Sequence, residues 1–345
     1  MDFIDLRSDT VTHPTPEMRE AMAKASVGDD VLREDPTVNQ LQELAAKKMG
    51  KQAGLFVPSG TMGNLLAVMC QCGRGDEVIM GNLGHTFLFE GGGVSALGGV
   101  FTHLLPNQKD GTIALDEVEA GIRPDDIHQP PTRLLVLENT HNRCGGVALT
   151  PAYTKEAAEL AHKHSMKLHI DGARIFNAAA ALEVEAKKMV KDADSVTFCL
   201  SKGLCAPVGS VLCGDEEFIQ KARRLRKMLG GGMRQAGILA AAGIIAVDKM
   251  STRLMEDHRR AKALADGLAQ IPAIRFEMGM PQTNMVFPSL AEDCKFNAAD
   301  VAKKLSAKGI KVGVVGVKKF RMVTHYWIDD AAIEKTITAM HDALK

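Results

Sequence analysis

The sequence predicts a mostly parallel α/β sheet in a large domain, followed by a smaller α+β domain. Three observations carry this. Between about residues 35 and 215, short continuous apolar runs alternate with segments of helical periodicity, the pattern of strands covered on both faces. Polar and charged residues follow directly on the ends of those runs, where an open parallel sheet binds its ligands. After about residue 248 the strand-like runs shorten and charged helical segments dominate.

Each element has a local reason. Asp35-Pro36 puts an N-cap before a proline at the first helical position, and Val38, Leu41, Leu44, Ala45 and Met49 then recur at helical spacing. Apolar runs at 55–57, 77–80, 134–137, 168–170, 196–200 and 210–213 read as strands. Thr150 introduces a helix over 151–166, giving a strand–helix–strand unit. The uncharged stretch 236–247 is shorter than the roughly 20 residues of a membrane span and reads as a buried helix. A charged helix over 251–270 leads into short strands near 275–278, 283–287, 311–315 and 320–323, with helices at 298–308 and 330–344. The expected division is a large domain over 1–248, including the N-terminal segment, and a small one over 249–345.

Composition narrows the function. With 42 basic and 42 acidic side chains in 345 residues, there is no positive excess for nucleic acid or an acidic membrane. One Trp and two Tyr leave little for stacking bases. Seven cysteines without a C-x-x-C pattern read as reduced thiols, and the opening Met1-Asp2-Phe3-Ile4-Asp5 lacks the basic flank of a signal peptide. A cytoplasmic metabolic protein acting on a small molecule is expected.

The strand ends supply the chemistry. After Val57 come Pro58, Ser59, Gly60, Thr61, Met62, Gly63 and Asn64, a small-residue turn opening a helix. Exposed N–H groups and the helix dipole there suit a phosphate. Asp171 ends one apolar run, and Lys202 follows another in Ser201-Lys202-Gly203. A desolvated lysine is a nucleophile toward carbonyls, and a carboxylate at the rim needs a cationic partner. Alone, each has a bland reading: a capped helix, or a buried ion pair. Together, a phosphate cradle, a carboxylate for a protonated pyridine nitrogen and a Schiff-base lysine fit pyridoxal phosphate (PLP). His85, in Gly81-Asn82-Leu83-Gly84-His85, could stack on its ring. No dinucleotide fingerprint, no P-loop and no H-E-x-x-H occurs, and no metal is expected.

The stretches LRSDTVT (6–12), VGDD…EDPT (27–37), FVPSGTMGN (56–64), ENTHN (138–142), HIDGARIFNA (169–178), LSKGLCAPVGS (200–210) and RKMLGGGMRQAGILAAAGI (226–244) resemble the low-specificity L-threonine aldolases, PLP enzymes of fold type I. TNM (283–285) and RMVTH (321–325) extend the likeness into the small domain. The resemblance implies that Lys202 carries PLP, Asp171 pairs with its ring nitrogen, and Ser59, Gly60 and Thr61 bind its phosphate. Arg174 would lie beside the cofactor's 3-oxygen and the substrate carboxylate, with Ser8 and Arg321 completing the carboxylate site. His85 would stack on the ring. Lys227, Arg234 and His128 would enter from a neighbouring subunit of a dimer or of a pair of dimers. Leu32-Arg33 stands where the family commonly has Tyr-Gly, and Tyr326-Trp327 departs from its pattern.

The activity so implied is retro-aldol cleavage of L-threonine, L-allo-threonine and related β-hydroxy-α-amino acids to glycine and an aldehyde. The base for the β-hydroxyl proton could be His85, His128 or water. Alternatives are β-elimination or transamination on the same fold, a Schiff-base aldolase without PLP, and a silent PLP-binding scaffold.

Overall fold

Seven strands form the central sheet in the computed structural model, which describes residues 3–345: β1 (Ala53–Val57), β2 (Glu77–Gly81), β3 (Phe101–Leu105), β4 (Thr132–Glu138), β5 (Lys167–Asp171), β6 (Ser195–Cys199) and β7 (Ser210–Gly214). Their spatial order is β1-β7-β6-β5-β4-β2-β3. Only β7 runs against its neighbours, β1 on one side and β6 on the other. Six strands therefore end at the same rim. Strands β2, β6 and β7 are buried along their whole length, as continuous apolar runs require.

Edge strand β3 escaped the sequence reading because Phe101-Thr102-His103 forms no apolar run, and Phe101 is 56% exposed. Helix Pro16–Ala23 buries only Met18, and helix Glu216–Met228, of which the sequence shows a helix face at 223–227, has seven charged residues among its thirteen, so neither carries an apolar run.

Helices cover both faces of the sheet. Helix Gly237–Asp248 packs on Pro36–Met49, where Gly243 lets Leu41 come close: a Cβ at Gly243 would lie 2.8 Å from Leu41 Cδ2. Helix Gly60–Gln71 sits still closer to the sheet. A Cβ on Gly63 would fall 2.5 Å from Thr197 Cγ2 of β6, so only glycine permits that spacing.

A second apolar core gathers Leu264, Leu268, Val301, Leu305, Ile310, Phe320 and Met322 with Leu6. Strand Ile4–Asp5 pairs in parallel with Ile310–Lys311, so the N-terminal segment joins this core before turning back toward the sheet. The charged helix runs over Leu254–Leu268 after a 3₁₀ turn at Met250–Thr252. The expected strands near 275–278 and 283–287 shrink to Ile274–Arg275 and Met285–Val286, with Gly279 at positive φ and Pro281 between them. Among the described residues, no helix is long and apolar enough to cross a membrane.

Candidate active site

The rim begins with the turn after β1. Ser59 has extended backbone, and its Oγ accepts from Met62 N at 3.2 Å, which starts helix Gly60–Gln71. The Gly60 and Thr61 N–H groups fall in the first turn, where no intrahelical acceptor exists. Ser59 and Thr61 are exposed. A Cβ on Gly60 would stand 3.0 Å from Cys199 Sγ at the end of β6, so glycine lets this turn rest on the strand. Behind it, Arg226 is buried, donating to Asp30 Oδ2 at 2.6 Å and to the Phe56 carbonyl at 2.6 Å. That pair ties the 27–35 loop to β1.

Asp171 closes β5 and is buried. Its Oδ2 accepts from Asn64 Nδ2 at 2.9 Å and from Thr86 Oγ1 at 3.4 Å, and its Oδ1 accepts from Ala173 N at 3.2 Å. The Asn64 amide also donates to Glu90 Oε1 at 2.8 Å, and its oxygen meets His169 Nε2 at 3.2 Å. His169 is fully buried, and burial pushes its pKa down to about 4, so the ring is neutral and bridges Asn64 to Ser195. His85 opens a one-turn helix, His85–Leu88, and does not end a strand. Its N–H donates to Glu138 Oε2 at 2.7 Å, and its Nδ1 lies 2.9 Å from Glu90 Oε1.

The second half of the site is cationic. Arg174 donates through Nε and Nη2 to Asp9 at 2.7 and 2.5 Å, both residues being buried. Burial opposes ionisation of Asp9, but the Arg174 guanidinium, with Lys202 and Arg321 nearby, holds its pKa well below the ordinary range. Arg321 donates to the Arg7 carbonyl at 3.3 Å, its Nε is buried without a partner, and no carboxylate pairs with it among the described residues. Burial and the neighbouring Arg174 lower its pKa to about 10. Ser8 caps the short turn Asp9–Val11 beside this cluster. Lys202 follows β6, half-buried, with its carbonyl held by Thr12 Oγ1 at 2.8 Å. Its charge acts on both Asp9 and His85, which places it between the two halves.

Three expected residues lie elsewhere in the single chain. His128 is exposed and pairs with Asp126 at 2.7 Å, just before β4 starts, at the opposite end of the sheet. Lys227 is exposed on a groove shared with Arg223 and Arg224. Arg234 is 57% exposed and donates to Asp29 at 2.8 Å within its own chain.

The model of the beta-eliminating lyase family matches residues 5–292. A probable low-specificity L-threonine aldolase of Arabidopsis thaliana is 48% identical over 338 residues, covering 97% of this chain and 95% of its own. The low specificity L-threonine aldolase of Escherichia coli K12 is 47% identical, covering 94% of each chain. The chain belongs to the low-specificity L-threonine aldolase family. Among solved structures, a threonine aldolase from Leishmania major shares the fold with a TM-score of 0.85 at 19% identity, covering 99% of this chain and 100% of that one. A putative aromatic amino acid beta-eliminating lyase/threonine aldolase from Exiguobacterium gives 0.81 at 22%, covering 94% and 93%. The fold is that of the PLP fold type I enzymes.

The donor set of this aldolase-family chain fits PLP. An outward-facing helix start suits a phosphate, and Asp171 suits a protonated ring nitrogen. Lys202 supplies an amine without a side-chain partner among the described residues. The unpartnered Nε of Arg321 suits a carboxylate. His85, Glu90 and Asp171 could by atom type ligate a cation, yet the Asn64 amide donates to both carboxylates where such an ion would sit. Asp9, Asn64 and Glu90 escaped the sequence reading. Asp9 and Asn64 were visible inside quoted motifs, but nothing in the sequence paired Asp9 with Arg174, 165 positions away. Glu90 carried no local signal, since it lies among Phe and Gly residues.

Proposed function

We propose that the chain cleaves L-threonine and L-allo-threonine to glycine and acetaldehyde with PLP held on Lys202. The observation that supports this best is the meeting of Lys202, Asp171 and two guanidiniums at one rim, in a chain nearly half identical to full-length threonine aldolases. Bound there, PLP supplies the electron sink that carbon–carbon cleavage beside an amino group requires. The protein's own residues do the rest. Ser59, Gly60 and Thr61 hold the phosphate, and Asp171, fixed by Asn64, Thr86 and Ala173, holds the proton on the ring nitrogen. Arg321 and Ser8 take the substrate carboxylate, with Arg174 beside it. Asp9 occupies Arg174 Nε and Nη2, which leaves Nη1 as the guanidinium nitrogen outside that pair. His85, with Nε2 free of any protein partner among the described residues, is the candidate base for the β-hydroxyl proton within one chain.

Product analysis tests the reading. Offered L-threonine, L-allo-threonine and L-serine, the PLP-loaded protein should release glycine with a carbonyl product in each case. Ammonia and a keto acid would make it an eliminating or transaminating enzyme instead, and no product would make it a scaffold.

The same proposal covers organisation and assembly. We read residues 1–248 and 249–345 as two bodies, supported by separate apolar cores, with Ile4, Asp5 and Leu6 lent to the smaller one. A cytoplasmic dimer, or a pair of dimers, would bring Lys227, Arg234 and His128 to a neighbour's site. Apolar side chains left exposed near these residues support burial against another copy: Met228 is 66% and Ile238 46% exposed, flanking Arg234 in sequence. If Arg234 reaches a neighbour's phosphate, Arg234→Ala removes a charge-assisted bond worth about 1.5–3 kcal/mol, so PLP affinity should fall by roughly 10–150-fold. Mixing Lys202→Ala with Arg234→Ala subunits should restore activity, because one hybrid site is intact. No recovery in verified heterodimers, at a PLP concentration that loads the wild type but not Arg234→Ala, would mean the site is not shared.

A further inference from the structure

Glu90 is an unusual carboxylate. Its side chain is 3% exposed, yet only Oε1 is engaged, by Asn64 Nδ2 at 2.8 Å and by His85 Nδ1 at 2.9 Å. Oε2 is buried with no partner among the described residues. Burying a carboxylate with one oxygen unsatisfied is costly, and such a group is retained when a cation or a shared proton offsets the cost. Among the described residues, the titratable cation it touches is His85.

The surroundings of His85 fix what that contact can do. Four charged groups face it. Glu90 comes from the turn after its own helix and Asp171 from β5, Lys202 follows β6, and Glu138 of β4 accepts the His85 backbone N–H. Asn64 donates to Glu90 and Asp171 at once, so it spaces two carboxylates that would otherwise repel. The His85 side chain is 36% exposed, and its Nε2 has no protein partner among the described residues. With Nδ1 committed to a carboxylate, the neutral ring carries its proton on Nδ1 and offers Nε2 as an acceptor.

We propose that Glu90 is a positioning residue for His85, fixing the tautomer and ring orientation that leave Nε2 free to accept a proton at the rim. The hydrogen bond to Glu90, aided by Asp171, raises the His85 pKa, and burial together with the Asp171 charge raises that of Glu90. This is the logic of a carboxylate behind a catalytic imidazole, here built from a residue five positions along the same turn. It rests on the aldolase reading only for the identity of the proton that Nε2 would take.

Glu90→Gln separates charge from position, since the amide oxygen can still accept from Asn64 and from His85 Nδ1. The imidazole of His85 should be followed by NMR titration in both the cofactor-free and the PLP-loaded protein, assigned with a His85→Phe control. Glu90→Gln should lower the His85 midpoint by about one pH unit or more, the scale of a lost charge-assisted hydrogen bond. The acidic limb of the kcat profile should shift downward with it, and the plateau should fall roughly 10–100-fold, as for other partners of functional histidines. Glu90→Asp should recover part of both effects. An unmoved His85 midpoint in folded Glu90→Gln overturns the proposal, as does a lowered plateau with an unmoved limb, which a merely structural Glu90 would give. Because the titration needs no turnover, it can fail while wild-type protein still makes glycine and acetaldehyde, or succeed while the aldolase reading fails.

Discussion

Lys202→Ala should cut turnover by roughly four orders of magnitude or more, on the scale of losing the reacting nucleophile in other covalent enzymes. The fold should survive. Lys202 makes no side-chain hydrogen bond or ion pair among the described residues, and its structural anchor is its carbonyl, which alanine keeps. Circular dichroism and the urea midpoint should therefore stay close to wild type while the visible absorption of bound PLP changes. Borohydride reduction of the wild type followed by peptide mapping gives the direct check: a pyridoxyl group on any other lysine removes Lys202 from its proposed role.

Asp9→Asn should have the largest effect on stability. Asp9 is fully buried and faces Arg174 through two hydrogen bonds, so neutralising it strands a buried guanidinium. Breaking such a pair from one side costs about 3–5 kcal/mol, visible as a large drop in urea midpoint. The same pair predicts an acid limb. The folded pKa of Asp9 is held below that of the unfolded chain, so its contribution is fully present above about pH 4 and is lost as pH falls toward the folded value. In Asp9→Asn that share of the acid sensitivity should disappear. A variant as stable as wild type, with an unchanged acid limb, would mean that the Asp9–Arg174 pair contributes nothing to folding. Substrate binding should suffer as well, because Asp9 sets which edge of Arg174 faces the site.

Much of this was legible in sequence. Continuous apolar runs gave the buried strands, because strands covered on both faces have no polar side to alternate with. The rim residues Ser59, Asp171 and Lys202 were legible because each stands directly after such a run. Phe101–Leu105 was not, since an edge strand can carry polar and exposed residues without cost to the core. Nor was Glu90, whose partners His85, Asn64 and Asp171 come from three separate stretches of chain. Periodicity reports which face is buried; it says nothing about which buried polar groups meet. For Leu32-Arg33, the departure has a local consequence: Arg33 adopts φ 63°, a left-handed conformation in which glycine is unstrained, so the family's usual residue suits this backbone better.

The strand Ile4–Asp5 bears on how the protein comes into being at the ribosome. Its pairing partner, Ile310–Lys311, is translated long after it, once the whole central sheet has been made. Arg7 offers its carbonyl to Arg321, 314 positions on, and Asn284 reaches Asp9 across 275. The large sheet can form while translation continues, since its strands end at Gly214. The cluster of Asp9, Arg174 and Arg321 cannot, because its N-terminal part waits for Asn284 and Arg321. Nascent chains therefore hold Asp9 and Arg174 before Arg321 exists, so the meeting of these three residues comes after the sheet has its strands.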